Sequence, residues 1–271
     1  MMDKASLFKD LHFQNDPLLL PNVWDAGGAY LAQNMGFKAI ATTSAGIAFS
    51  NGLPDGSVVD PNLIFETVEK IVSVVDVPVT ADIESGYGDI AGSVKRLKDM
   101  GVVGANIEDL PGSNISELLP LSEAVATIME ARNAAGPDFV LNARTDTYLT
   151  DQPNALELSI ERGNAFMEAG ADCIFVPGAK SKSDIETLVR EINGPINIVA
   201  GLKGEQLTLK EYADLGVKRV STGGSLMRRC FAMLETAFSE ILDDGTFEYS
   251  RDAMPDATIN ALFRNRLKKS D

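Results

Sequence analysis

The sequence predicts one α/β chain closed into a (β/α)8 barrel, a TIM barrel, with an extra C-terminal helix. Three observations carry this reading. Apolar runs of strand length alternate with longer stretches of helical periodicity. The strand candidates number eight, the count of a closed barrel. A helix-ending Gly recurs before every second strand. The length of 271 residues suits one such barrel, and no linker or break in composition marks a second domain. Residues 1–271 are therefore read as a single barrel domain.

The strand candidates, in order, are Leu18–Trp24, Ala39–Ser44, Val77–Ile83, Gly104–Glu108, Phe139–Arg144, Cys173–Val176, Ile196–Ala200 and Arg219–Ser221. Each is a short run of aliphatic or β-branched residues bounded by turn-forming ones. Helical periodicity occupies Ile90–Met100, Ser122–Ala135, Ala155–Ala169, Ser183–Ile192 and Leu209–Leu215. Strict alternation implies parallel strands joined by right-handed crossovers. Gly36, Gly101, Gly170 and Gly216 each end a helix just before a strand, where a left-handed residue is commonly required. No G-x-G-x-x-G follows the first strand, which speaks against an open doubly wound sheet. Ser225–Leu242 reads as the last barrel helix, and Met254–Leu267 as a helix beyond the barrel count.

Composition narrows the function classes. The formal net charge is −15, with 39 acidic against 24 basic residues. Such a surface repels nucleic acid and anionic membranes. No apolar run reaches membrane-spanning length, and the N-terminus has no signal-peptide pattern. Cys173 and Cys230, the only cysteines, lie in apolar elements and suggest no disulfide framework. The expectation is a soluble cytoplasmic protein.

In a barrel of this kind the reacting groups sit at the C-terminal strand ends. Those ends are rich in acids: Asp25 after strand one, Asp55 in the loop after strand two, Asp82 and Glu84 at strand three, Glu108 and Asp109 at strand four, and Asp146 beyond strand five. Asp82 and Glu84 are two residues apart, so on a strand both face the barrel mouth. Facing carboxylates are costly unless a cation or proton neutralises them. Asp55, Asp82, Glu84 and Glu108 thus read as a hard oxygen-donor site for Mg2+, with Mn2+ able to replace it. His12 is the only histidine and lies outside the set, which excludes a His-rich zinc site. Arg144 ends a buried strand and needs an anionic partner: either Asp146 or Glu108, or a substrate carboxylate or enolate oxygen. Thr43, Ser44 and the backbone at Ala45 could add neutral donors to the same anion. Trp24 is read as core or pocket wall.

The segments Asn22-Val23-Trp24-Asp25-Ala26, Leu53-Pro54-Asp55-Gly56, Ala81-Asp82-Ile83-Glu84-Ser85-Gly86-Tyr87-Gly88, Asn106-Ile107-Glu108-Asp109 and Asn142-Ala143-Arg144-Thr145-Asp146 together resemble the isocitrate lyase/phosphoenolpyruvate mutase superfamily. The likeness runs in order from about residue 6 to 245. It implies Mg2+ at Asp82, with Glu84, Asp55 and Glu108 holding the metal or its waters. It further implies that Thr43, Ser44 and Arg144 bind a 2-oxo acid or its enolate. The oligomer implied is a dimer of dimers in which a partner exchanges the last barrel helix, a homotetramer. Departures are informative. The Cys-bearing loop of the C–C lyases is replaced by Leu110-Pro111-Gly112-Ser113-Asn114, Gly178 follows Pro177 where lyases carry an acid, and Glu84 replaces the more usual Asp.

The sequence therefore reads as a Mg2+-dependent lyase or hydrolase acting on a C–C or P–C bond of a small, oxaloacetate-like 2-oxo acid, through an enolpyruvate-like intermediate. Arg144, Glu108 and Asn114 are its expected catalytic residues, with Asn114 on a gating loop over the site. A phosphoenolpyruvate or carboxyphosphonoenolpyruvate phosphonomutase is the alternative. A barrel that binds metal and 2-oxo acid without turnover is the reading of another class.

Overall fold

The computed structural model describes residues 3–56, 60–112, 116–203 and 207–267. The chain divides into two compact units, one running to Gly224 and one from Ser225 onward.

The first unit is the barrel. Its strands are β1 (Leu18–Leu20), β2 (Asn22–Val23), β3 (Ile40–Thr42), β4 (Val79–Asp82), β5 (Gly104–Glu108), β6 (Val140–Arg144), β7 (Cys173–Phe175), β8 (Ile196–Val199) and β9 (Arg219–Ser221). All pair in parallel, in the order β1-β9-β8-β7-β6-β5-β4-β3-β2. The expected first strand is split at Pro21, which has no N–H to give to a ladder. Its first half pairs with β9 and its second with β3, so the two halves join the ends of the sheet. Pro21 still contributes its carbonyl, which accepts from Ala41 N at 3.1 Å.

Asn22 seals the same junction. Its amide nitrogen donates to Thr42 O at 2.7 Å, and its Oδ1 accepts from Thr222 N at 2.8 Å and Gly223 N at 3.0 Å. One side chain thereby ties the second strand of the barrel to the last.

Residues alternate across each strand as a pleat requires. On β6, Leu141 and Ala143 face outward into a large hydrophobic layer with Ile107, Ile128 and Ile174, while Asn142 and Arg144 belong to the opposite face. The N-terminal end is filled by a second cluster, in which Phe8 and Leu11 of the helix Lys4–Leu11 pack on Leu18, Leu20, Ala41 and Val140. That leaves the C-terminal end free for polar groups. The four anticipated helix-ending glycines all take positive φ, between 85° at Gly101 and 105° at Gly170.

The second unit contains the helix Ser225–Ser239, a short π-helical turn at Glu240–Asp244, a 3-10 turn at Glu248–Asp252 and the helix Asp256–Leu267. Leu226, Phe231, Met233, Leu234 and Phe238 of its first helix are exposed, and Met227 is buried. No described helix is long and apolar enough to cross a membrane. Cys173 and Cys230 are both free, and burial pushes the Cys173 thiol up to about 12.

Candidate active site

A cavity of ≈ 280 Å3 opens at the C-terminal strand ends of the barrel. Strand register explains its contents. Asp82 pairs with Asn106 across β4 and β5, and Glu108 pairs with Arg144 across β5 and β6. Asp82, Asn106, Glu108 and Arg144 accordingly reach the same mouth, joined there by Asp55, Glu84 and Asp146 from loops. Five carboxylates and one guanidinium thus line one small space.

Arg144 is held from two sides. Its Nη1 lies 2.9 Å from Glu108 Oε2, while Nε and Nη2 lie 2.9 Å and 2.8 Å from Asp146 Oδ1. Both expected structural pairs are therefore present at once, and Asp146 is wholly buried. Burial works against the guanidinium charge, but the flanking carboxylates raise its affinity for a proton overall. With five donors in a fixed fork, Arg144 keeps N–H groups beyond these contacts and still lines the cavity.

The remaining acids feel burial and one another. Burial, then Asp82 and Asp55, raise the Glu84 carboxyl to about 7. Burial pushes Glu108 well above the carboxylate range, with the Arg144 charge opposing it. Burial likewise raises Asp146. Such shifts mark a site that lacks positive charge.

Glu84 is placed differently from the expectation that it continues the strand. β4 ends at Asp82, and Glu84 adopts φ 50°, a left-handed conformation unusual for a residue with a side chain. The backbone turns here because Ile83 O accepts from Gly86 N at 2.8 Å, while Glu84 O accepts from Glu108 N at 3.0 Å. The carboxylate reaches the cavity from a bend rather than from the face it would share with Asp82 on a strand.

Thr43, Ser44 and Ala45 all line the cavity. Thr43 caps the helix Ser44–Ser50 by accepting from Gly46 N at 3.2 Å, which leaves its own O–H to donate. Ser44 gives its hydroxyl to Asp82 Oδ2 at 3.0 Å and its backbone N–H to the same atom at 3.3 Å. Its hydroxyl hydrogen is thus given to Asp82. Trp24 is not among the lining residues; it is half-buried against the hydrophobic core beside Gly46. Asn114 lies outside the described residues.

No three described His, Cys, Asp or Glu side chains converge closely enough to hold a metal by themselves. The expected four-acid cluster is a ring around the cavity rather than a cage of direct ligands. Mutual repulsion and loop placement explain the spacing: of the four, only Asp82 and Glu108 lie on strands. The donor set nevertheless fits a hard divalent ion that keeps several waters. Asp82 Oδ1 is buried with no hydrogen-bond partner, an acceptor in want of a cation, and Asp55 and Glu84 on the rim are open enough to accept from water.

Two features were not legible in the sequence. Arg162, on the helix Ala155–Glu168, donates to Asp109 Oδ2 at 2.9 Å and to Leu119 O at 2.7 Å. Leu119 N in turn donates to Asp109 O at 2.8 Å. Both ends of the segment 110–118 are thus fastened to one buried ion pair just behind Glu108. A lone Arg in an amphipathic helix looks like any surface Arg; only its place beside Asp109 gives it this role. The other is Tyr87, whose buried hydroxyl has no partner and whose proton is held more tightly by burial and by Glu84.

Residues 8–242 match the model of the phosphoenolpyruvate phosphomutase family. The chain belongs to that family, within the isocitrate lyase/phosphoenolpyruvate mutase superfamily. A Burkholderia cenocepacia J2315 protein of known structure, described as a candidate lyase/mutase, is 38% identical with TM-score 0.91, covering 96% of this chain and 95% of that one. The 2-methylisocitrate lyase of Bacillus subtilis strain 168 is 28% identical over 89% of this chain and 83% of its own. A solved 2,3-dimethylmalate lyase is 26% identical with TM-score 0.86, covering 100% of this chain and 97% of its own. The superfamily is one of lyases and mutases, and the two solved structures share the fold over nearly the whole chain.

Proposed function

We propose that this family member is a Mg2+-dependent lyase or hydrolase that breaks a C–C or P–C bond beside the carboxylate of a small 2-oxo acid. One observation carries the reading: five carboxylates and a single guanidinium line a cavity of ≈ 280 Å3. An anionic substrate would be repelled from such a cavity unless a divalent cation reversed the local field. Asp82 would hold that ion directly, and Asp55, Glu84 and Glu108 would hold its waters. Mg2+ held there would supply Lewis-acid stabilisation of negative charge on the 2-oxo oxygen.

The chain's own residues do the rest. Arg144, immobilised by Glu108 and Asp146, presents its remaining N–H groups to the substrate carboxylate. The Thr43 hydroxyl and the Ala45 backbone line the same cavity and offer neutral donors. Glu108 keeps Arg144 in register across the strand pair. Asn114 would meet the substrate by hydrogen bonds without transferring protons. Phosphonomutase chemistry is the second reading, favoured by the family match itself.

Calorimetric titration with MgCl2 tests the site directly, and activity in excess EDTA tests the reaction. Asp82→Ala should remove both the Mg2+ binding and the activity. Full activity in EDTA, or in the Asp82 variant, would sink the metal-dependent mechanism.

A further inference from the structure

The floor of the cavity holds an amide donor that the described fold does not use. Asn106 on β5 is buried, lines the cavity and lies two residues before Glu108, on the same face of the strand. Its Oδ1 accepts twice, from Asn142 Nδ2 at 2.6 Å and from Arg219 Nη2 at 3.1 Å. A guanidinium has donors only, so the amide must turn its oxygen toward the wholly buried Arg219. Nδ2 is then the atom left to face the cavity, and it meets no acceptor among the described residues. Asp82 Oδ1, on the neighbouring strand at the same register, does not take it and is itself without a partner. Asn22, which also lines the cavity, differs: its Nδ2 is given to Thr42 O.

An N–H group placed this way suits an anionic oxygen. The two bonds to Oδ1 fix the plane of the amide, and a fixed donor needs no reorganisation when charge develops beside it. Arg219 also strengthens it, because a cation bonded to the amide oxygen polarises the group and makes its N–H a better donor. The same amide is a poor metal ligand, since its oxygen is already taken by two donors and its nitrogen has no lone pair to give. We infer that Asn106 is a further binding residue of the site, donating from Nδ2 to an oxygen of the bound 2-oxo acid or of its enolate. Arg219 and Asn142 are its positioning residues: they hold the amide in the one orientation that offers this donor. The inference rests on the proposed function and adds to it a route by which the charge of a buried arginine reaches the substrate without touching it.

The test is calorimetric titration of oxalate into the full-length protein in MgCl2. Oxalate carries the adjacent oxygens of a 2-oxo acid enolate and nothing beyond them. Its failure to bind the wild-type protein would remove the proposed site itself, and with it this inference. Where the wild type binds, Asn106→Ala loses the N–H donor without adding charge. It should bind oxalate at least ~10-fold more weakly, the lower end of what a hydrogen bond to a charged group contributes. Mg2+ titrated alone should bind the variant as it binds the wild type. Unchanged oxalate affinity, or an equal loss of Mg2+ affinity, would overturn the role of Asn106 while leaving the general function standing. Alanine also strips Arg219 of an acceptor, so a second readout uses the wild-type chain. In 15N-labelled protein the Asn106 side-chain amide is assigned by its disappearance in Asn106→Asp, whose carboxylate still accepts from Arg219 and Asn142. That resonance should move downfield as oxalate is added to the Mg2+-bound form. An amide that stays in place with oxalate bound would sink the inference.

Discussion

His12 offers a sharp test of the buried electrostatics at the closed end of the barrel. It is 2% exposed, and its Nδ1 lies 2.8 Å from Phe8 O. A carbonyl only accepts, so Nδ1 carries the proton and Nε2 is the basic nitrogen. Nε2 lies 3.5 Å from Arg219 Nη1, and Arg219 is wholly buried. Protonating His12 would place a second cation against the first in a desolvated space. Burial, then Arg219, lower its pKa from 6.5 to about 3. The folded chain therefore stays neutral here while the unfolded chain takes up a proton below 6.5. The contribution is complete above the unfolded pKa and is lost as pH falls toward the folded one. Between pH 7.5 and pH 5 the loss is ~2 kcal/mol, from about 1.5 units at 1.36 kcal/mol each. The perturbation is His12→Asn, which preserves a donor for Phe8 O. Urea unfolding, followed by the single Trp, should show the wild-type protein losing ~2 kcal/mol more than the variant over that interval. Other titrating groups are common to both proteins and cancel. The one His also gives one imidazole resonance, which should not titrate between pH 7.5 and 4.5. A midpoint near 6.5, or a difference between the proteins below ~0.5 kcal/mol, would refute the argument.

Three further outcomes are expected. Arg162→Met leaves Asp109 buried without its cation and should cost ~3–5 kcal/mol in denaturant unfolding; a loss below ~1 kcal/mol would mean the pair is not a clamp. Asn114→Ala should raise KM or lower kcat without moving the pH–rate profile, and unchanged kinetics for the true substrate would dismiss its role. We also propose a homotetramer, because Leu226, Phe231, Met233, Leu234 and Phe238 leave an apolar helix face exposed on one chain. Multi-angle light scattering should then give a multiple of 29.0 kDa, and a stable monomer at micromolar concentration would contradict it.

The sequence by itself determined the barrel and its acidic mouth. Apolar runs of strand length, helix-ending glycines and their alternation are local signals, so β5 and β9 were found with their ends as they stand. Acids at successive strand ends were legible for the same reason, since a barrel sends consecutive strand ends to one face. The tertiary structure alone decided how those groups meet. Pro21 splits a strand whose halves pair with opposite neighbours, which no local pattern records. Glu84 left the strand because its backbone is drawn into a turn by Ile83 and Gly86. Ser44 faces Asp82, Trp24 packs behind the helix Ser44–Ser50, and Arg162 finds Asp109 from 53 residues away. The apolar lining residues Leu149, Phe175, Pro177, Val199 and Leu202 come from β7, β8 and the segments after β6, β7 and β8, each unremarkable where it lies in the chain. Periodicity is written along the chain, whereas a site depends on contacts between residues that only closure of the barrel brings together.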